Sequence, residues 1–197
     1  MKIIMATSNM DKVREIRQML EGTDLEILSL KEAGIRVGIE ETGTSFDENA
    51  AIKAEAVRDA TGQLAIADDS GLVIDYLDGA PGIYSSRYMG EDTSYTVKNQ
   101  AILDQLKEAA PEQRSARFVC SMAIAWPDGH TDLYQGFMEG RIAYEIAGEG
   151  GFGYDPIFYL PEYGCTSAQL SPQEKNAISH RGKALRQVVE VLKQHRE

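Results

Sequence analysis

Two carboxylates, Asp68 and Asp69, stand side by side in the segment ADDSG, where the apolar run QLAIA gives way to a hydroxyl, Ser70, and a glycine. Adjacent like charges disfavour each other's ionisation unless a positive group stands between or beside them. A Mg²⁺ ion answers that need, because it takes one or two carboxylates and completes its shell with waters and phosphate oxygens. Such a pair therefore suits a nucleotide-bound metal, with Asp68 or Asp69 orienting and deprotonating an attacking water. The upstream pair Glu40 and Glu41 in EETG offers one more oxygen ligand. Alone, DSG is more often a plain strand-end turn and EETG a solvated one.

The cations that a polyanion would need are scattered along the chain. Thr7, Ser8 and Asn9 lie between a strand and a helix with Lys12 in the first helical turn, so they offer hydroxyls, an amide, backbone N–H groups and the positive end of a helix dipole. The plainer reading is helix capping by Asn9. Lys53, four residues after Asn49 on one helix face, and Lys175 in the last helical region are the other candidate phosphate contacts. In GGFGYDP, Gly153 and its neighbours allow close backbone approach, and Phe152 and Tyr154 offer rings on which a base could stack, Asp155 closing the segment; both rings could equally be core. His180 and Arg181 are side-chain donors.

The elements that must position these groups follow from periodicity. KIIMA predicts a strand, and DKVREIRQMLEG, with Val13, Ile16, Met19 and Leu20 at helical spacing and Gly22 as a stop, predicts a helix. LEILSL reads as a strand. Ser45 and Glu48 have capping-box spacing ahead of an alanine-rich helix to about residue 60. QLAIA and GLVIDYL read as two strands interrupted at Asp68 to Gly71. A helix over SYTVKNQAILDQLKEAA, a hairpin-rich middle around PDG, the strand-like PIFYL, and two helical stretches after Ser171 complete the pattern. Helices and strands alternate first and hairpins follow, which predicts an α/β fold: a mixed, elongated twisted sheet flanked by helices, as one domain over residues 1–197 with two lobes and a central cleft.

Composition narrows the partners. The net charge of −11 removes the basic face that a nucleic-acid polymer requires, leaving a small anionic ligand held by local cations or metal. No apolar run approaches a membrane span, no secretory segment opens the chain, and the two cysteines give neither a disulfide framework nor metal spacing, so a cytoplasmic protein is expected. Cys120 reads as a small core residue.

Taken together, ATSNMDK, SFDENAAIKA, ADDSGL, APGIYSSRY, GFGYDPIF and SPQEKNAISHRGKAL resemble, in sequence and order, the signature segments of the inosine triphosphate pyrophosphatase family, the non-canonical purine nucleoside triphosphate pyrophosphatases. The likeness runs from the first strand to the last helix. It implies a Mg²⁺-dependent cytosolic homodimer that hydrolyses ITP, dITP and XTP to the monophosphate and pyrophosphate. It further implies that Thr7 to Lys12 bind the triphosphate and that Lys53 and Lys175 lie close to the phosphates. Asp69 would be proton acceptor and metal ligand, with an acidic ligand from EETG, Glu40 being favoured over Glu41, and Ser70 would touch substrate. Phe152, Gly153, Tyr154 and Asp155 would hold the base, and His180 and Arg181 would line its edge. Met10 and Asp11 fall at positions the family leaves variable, Asp11 putting a negative charge beside the phosphate loop, and the chain departs from many relatives at Ala147 and Ser167; none of these touches the expected chemistry.

Donor lining would select the 6-oxo acceptor of hypoxanthine and xanthine over the 6-amino donor of adenine, since a rejected base strands buried donors. Two other readings stand beside this one. A pyrophosphatase of modified pyrimidine or methylated nucleotides, like the septum-formation-protein family, is disfavoured by GFGYDP and SHR; a non-catalytic nucleotide sensor is disfavoured by the presence of Asp69, Lys12 and Lys175.

Overall fold

A computed structural model describes residues 1–195; the last two residues of the expected domain span fall outside the described residues. Strands β1 (Lys2–Met5), β2 (Glu26–Ser29), β3 (Ala65–Ile74), β4 (Ser115–Ala125), β5 (Thr131–Ile142), β6 (Phe158–Leu160) and β7 (Cys165–Thr166) form one sheet in the order β2-β1-β3-β4-β5-β6-β7. The helices are α1 (Met10–Met19), α2 (Phe46–Thr61), α3 (Tyr95–Gln105), α4 (Pro172–Ile178) and α5 (His180–Gln194). β1 pairs in parallel with β2 and β3, whereas β6 is antiparallel to β5 and β7. The sheet is thus mixed, as the order of helical and hairpin segments predicts.

The chain divides into two compact units: residues 1–69, 120–136 and 180 onward form the first, and residues 70–119 and 137–179 the second. In the first unit the sheet carries two different helical layers. Ile3, Met5 and Ile66 pack with Val13 and Ile16 of α1 and Leu185 and Val188 of α5. On the other side Ile4, Ala65 and Ala67 meet Ala50, Ala54 and Val57 of α2, small residues that let that helix approach closely. Successive strand residues face opposite sides, so this division is the pleat of β1 and β3 made visible. Cys120 is fully buried and its thiol is pushed up to about 12 by burial, which leaves it an inert core residue.

α2 begins at Ser45, whose hydroxyl accepts from the Glu48 N–H, and stops at Gly62, whose φ of +66° suits the left-handed cap. The Glu48 side chain in turn reaches back over the helix start. The Glu48 carboxylate accepts chiefly from the Thr44 N–H and hydroxyl, the Ser45 N–H making a smaller contribution. In the second unit, Leu72 and Ile74 of β3, Phe118 of β4, Met138 and Ile142 of β5 and Phe158 of β6 pack with Ile102, Leu103 and Leu106 of α3.

One strand prediction is corrected. QLAIA and GLVIDYL are not two strands broken at Asp68–Gly71 but the single strand β3, with both aspartates in its interior. Neither the charges nor Gly71 ends it, because the backbone there stays extended and each carboxylate meets a cation. What ends beside them is β1: Ile4 and Met5 pair with Ala65 and Ile66, the Ala6 N–H reaches the Ile66 carbonyl, and β3 then continues beyond the end of β1, with β4 as its neighbour on the other edge.

Candidate active site

Because β3 is continuous, Asp68 and Asp69 point to opposite faces of the sheet. Asp69 lies on the α2 side. Its Oδ1 accepts from Lys53 Nζ at 2.8 Å, and the same ammonium reaches Glu41 Oε1 at 2.8 Å. Lys53 is buried, a position that by itself disfavours its charge; Asp69 and Asp68 outweigh that and hold its pKa above the usual lysine value. Burial raises the Asp69 pKa, and the attraction of Lys53 only partly offsets it. Asp69 Oδ2 is enclosed and has no hydrogen-bond partner among the described residues. A carboxylate oxygen kept in that state is costly in a purely structural role and available for a reacting group.

The segment carrying Glu41 is fixed from α2. Asn49, fully buried one turn before Lys53, accepts the Gly43 N–H at 2.9 Å. A Cβ on Gly43 would come within 2.7 Å of that same amide oxygen. This brings Glu41 to Lys53 and leaves Glu40, the favoured ligand of the sequence reading, exposed. The alternative glutamate is therefore the one that joins Asp69 and Lys53.

Asp68 lies on the α1 and α5 side and is fully buried. Its Oδ2 is 3.0 Å from Lys12 Nζ and accepts from Arg181 Nε at 3.3 Å and Nη2 at 3.2 Å. Arg181 Nη1 also donates to Glu15, a residue the sequence reading passed over although it shares the face of α1 with Lys12. Burial opposes the charge on Arg181, yet Asp68 and Glu15 hold its pKa above even the ordinary arginine value. His180 and Arg181 open α5. Their backbone fits against β5 only because residue 136 is glycine: a Cβ there would stand 2.1 Å from the His180 carbonyl oxygen and 2.8 Å from the Ala184 nitrogen. Gly136→Ala is accordingly expected to destabilise the protein by about 1–3 kcal/mol through overpacking. A lowered thermal midpoint checks it.

The turn before α1 is partly spent on itself. Asn9 Oδ1 accepts from the N–H groups of Asp11 and Lys12, and Thr7 Oγ1 accepts from the Asn9 N–H. Both readings of this turn are thus combined: Asn9 caps the helix, and the N–H groups of Ser8 and Met10 make no hydrogen bond among the described residues.

The second unit holds the aromatic segment. Asp155, nearly fully buried, accepts from the Phe152 N–H at 2.9 Å and from Lys175 Nζ at 2.6 Å, and that ammonium lies 5.0 Å from the centre of the Phe152 ring. Gly151, at φ +66°, cannot carry a side chain, since a Cβ would come within 2.1 Å of Asp155 Oδ2. Phe152 remains partly exposed, whereas the Tyr154 ring belongs to the core and its hydroxyl donates to the Ser85 carbonyl at 2.7 Å. Of the two rings expected to be available for stacking, one is therefore structural. Lys175 follows the α4 capping box formed by Ser171 with Glu174. Ser70, the first residue of this unit, follows Asp69 directly in β3.

The donor set bears on Mg²⁺. Among the described residues no group of three or more His, Cys, Asp or Glu could cage an ion. Asp69, with an oxygen that has no partner among the described residues, and Glu41 would fit Mg²⁺, which takes one or two carboxylates and completes its shell with waters and phosphate oxygens.

The Ham1 family model matches residues 3–191. The chain is 46% identical over 192 residues to a dITP/XTP pyrophosphatase of Desulforamulus reducens, covering 98% of this chain and 96% of the relative, and 47% identical to one of Photorhabdus laumondii, covering 98% of each. Among solved structures it is similar to a Ham1 protein of Coxiella burnetii, with a TM-score of 0.88 and 43% identity over 98% of this chain and 99% of that one. It is also similar to a nucleoside-triphosphatase, dITP/XTP pyrophosphatase, of Mycobacterium abscessus, with a TM-score of 0.76 and 39% identity over 95% and 98%. Motif order, sheet topology and near-complete coverage agree, and the chain belongs to the Ham1 family.

Proposed function

We propose that the chain hydrolyses ITP, dITP and XTP to the monophosphate and pyrophosphate, removing these nucleotides from the pool. Two relatives are named dITP/XTP pyrophosphatases, and the observation that carries the chemistry is Asp69 Oδ2, buried beside Lys53 without a partner among the described residues. Asp69 accepts the proton of the attacking water. Burial helps in this, because a carboxylate of raised pKa is a stronger base than an ordinary aspartate. Lys53 and Lys12 supply fixed positive charge for phosphate oxygens, already oriented by Asp69 and Asp68, so little reorganisation is needed when charge develops. The N–H groups of Ser8 and Met10 add donors at the start of α1.

Asp69 and Glu41 would hold Mg²⁺, which when bound would neutralise charge on the phosphates. In the second unit Phe152 offers a ring, and Lys175, held by Asp155, offers a cation beside it. Arg181 enters as a pre-oriented group: Asp68 and Glu15 fix its guanidinium, and His180 precedes it at the start of α5. A homodimer in the cytoplasm is part of the same proposal. No helix among the described residues is long and apolar enough to cross a membrane.

The test is pyrophosphate release from ITP, dITP and XTP with Mg²⁺, with ATP as control. Release from all three, slow release from ATP and loss of activity on exhaustive chelation are expected. Equal rates on ATP would refute the substrate class, and undiminished turnover after chelation would refute the metal.

A further inference from the structure

The N-terminal turns of α3 carry two polar residues that the chemistry above leaves unused. Lys98 is 1% exposed and has no carboxylate partner among the described residues; its Nζ donates to the Ser86 carbonyl at 2.7 Å and lies 4.9 Å from the Tyr95 ring centre, and burial lowers its pKa. Asn99, 3% exposed, donates through Nδ2 to the Gly153 carbonyl at 3.1 Å, while its Oδ1 is buried without a hydrogen-bond partner among the described residues. An apolar residue of the same size would pack there without stranding an acceptor, so the amide needs a reason. The Tyr95 ring meets Tyr154 edge-on at 5.2 Å, and the Tyr154 hydroxyl is taken by Ser85. Side chain and main chain of Gly153–Tyr154 are therefore held from separate points.

That anchoring has a directional consequence. In a trans peptide the carbonyl of one residue and the N–H of the next point in opposite directions. With the Gly153 carbonyl turned toward Asn99, the Tyr154 N–H points away from α3, and it makes no hydrogen bond among the described residues. We infer that Asn99 is a positioning residue for base selection: by holding the Gly153 carbonyl it presents the Tyr154 N–H as a fixed donor to the 6-oxo group of a purine. Adenine, with a 6-amino donor at the same place, leaves that N–H unpaired. The inference rests on the proposed function and adds to it a residue that touches no substrate.

Asn99→Asp keeps the shape and removes the donor; Asn99→Leu removes both polar atoms. Steady-state rates on ITP and ATP, with melting curves, are the measurement. Both variants are expected to lose about tenfold in kcat/KM for ITP, chiefly through KM, and to lose the preference for ITP over ATP by a similar factor. In Asn99→Asp the preference returns as pH is lowered and the carboxyl regains a proton to donate. A lowered melting temperature with an unchanged ITP-to-ATP ratio would make Asn99 merely structural and overturn the inference, as would unchanged kinetics. If the unaltered protein releases no pyrophosphate from ITP, it is the function that fails; the inference is then decided by the ratio of IMP to AMP binding in wild type and Asn99→Asp, a wild-type preference that the variant loses supporting it and an equal ratio refuting it.

Discussion

Asp69→Asn is expected to reduce pyrophosphate release from ITP by about 10³-fold or more, the scale on which a positioned base contributes, while melting no lower than wild type at neutral pH. The first half follows from the acceptor oxygen that the amide cannot replace. The second follows from linkage. The Asp69 pKa is raised in the folded protein, so between the unfolded value of 3.8 and the folded value the native state binds more protons than the unfolded chain. Stability therefore falls as pH rises through that window, and at neutral pH the ionised carboxylate is a net cost that a neutral amide lacks. Lys53 is not abandoned by the change, because Glu41 still accepts from it. Rates across pH and melting curves taken in chelator check both halves. Retained turnover would remove Asp69 from the chemistry, and a fall of several degrees in melting temperature would make it a structural residue.

Much of this site was legible in the sequence, and the failures share a cause. The turn from Thr7 to Asn9, the α2 face bearing Asn49 and Lys53, and the helix start at Ser171 were readable because capping and helical spacing are local rules. Asp68 and Asp69 were misplaced because charges and a glycine in an apolar run look like punctuation. What keeps β3 unbroken is non-local: Lys12 from α1, Arg181 from α5 and Lys53 from α2. Alternation from Ile66 and Ala67 would have separated the two aspartates, had the strand been taken as continuous. That Glu41 reaches Lys53 while Glu40 is exposed could not be read, since it depends on Asn49 gripping the Gly43 N–H. Lys98 and Asn99 gave no signal, being polar residues on an ordinary helical pattern whose burial depends on what packs over them.

Arg181→Ala carries the largest expected effect on stability, and the reason lies in what it leaves behind. Asp68 is fully buried and Arg181 nearly so, and two guanidinium nitrogens converge on one Asp68 oxygen while a third holds Glu15. Removing one member of a buried ion pair costs about 3–5 kcal/mol, mainly the desolvation of the charge that remains. For a chain of this length that corresponds to a fall of roughly 10 °C in melting temperature. Lys12 still faces Asp68 in the variant, but as a point charge it cannot reproduce the planar fork. The double variant Arg181→Met with Asp68→Asn, which removes both charges and preserves bulk, should recover part of the loss, because the penalty belongs to the unpaired carboxylate. Glu15→Gln, at a partly exposed partner, should cost far less than Arg181→Ala. If Arg181→Ala melted with the wild type, or if the double variant melted lower than the single one, Asp68 would not depend on Arg181, and the orientation of the α5 start would need another cause.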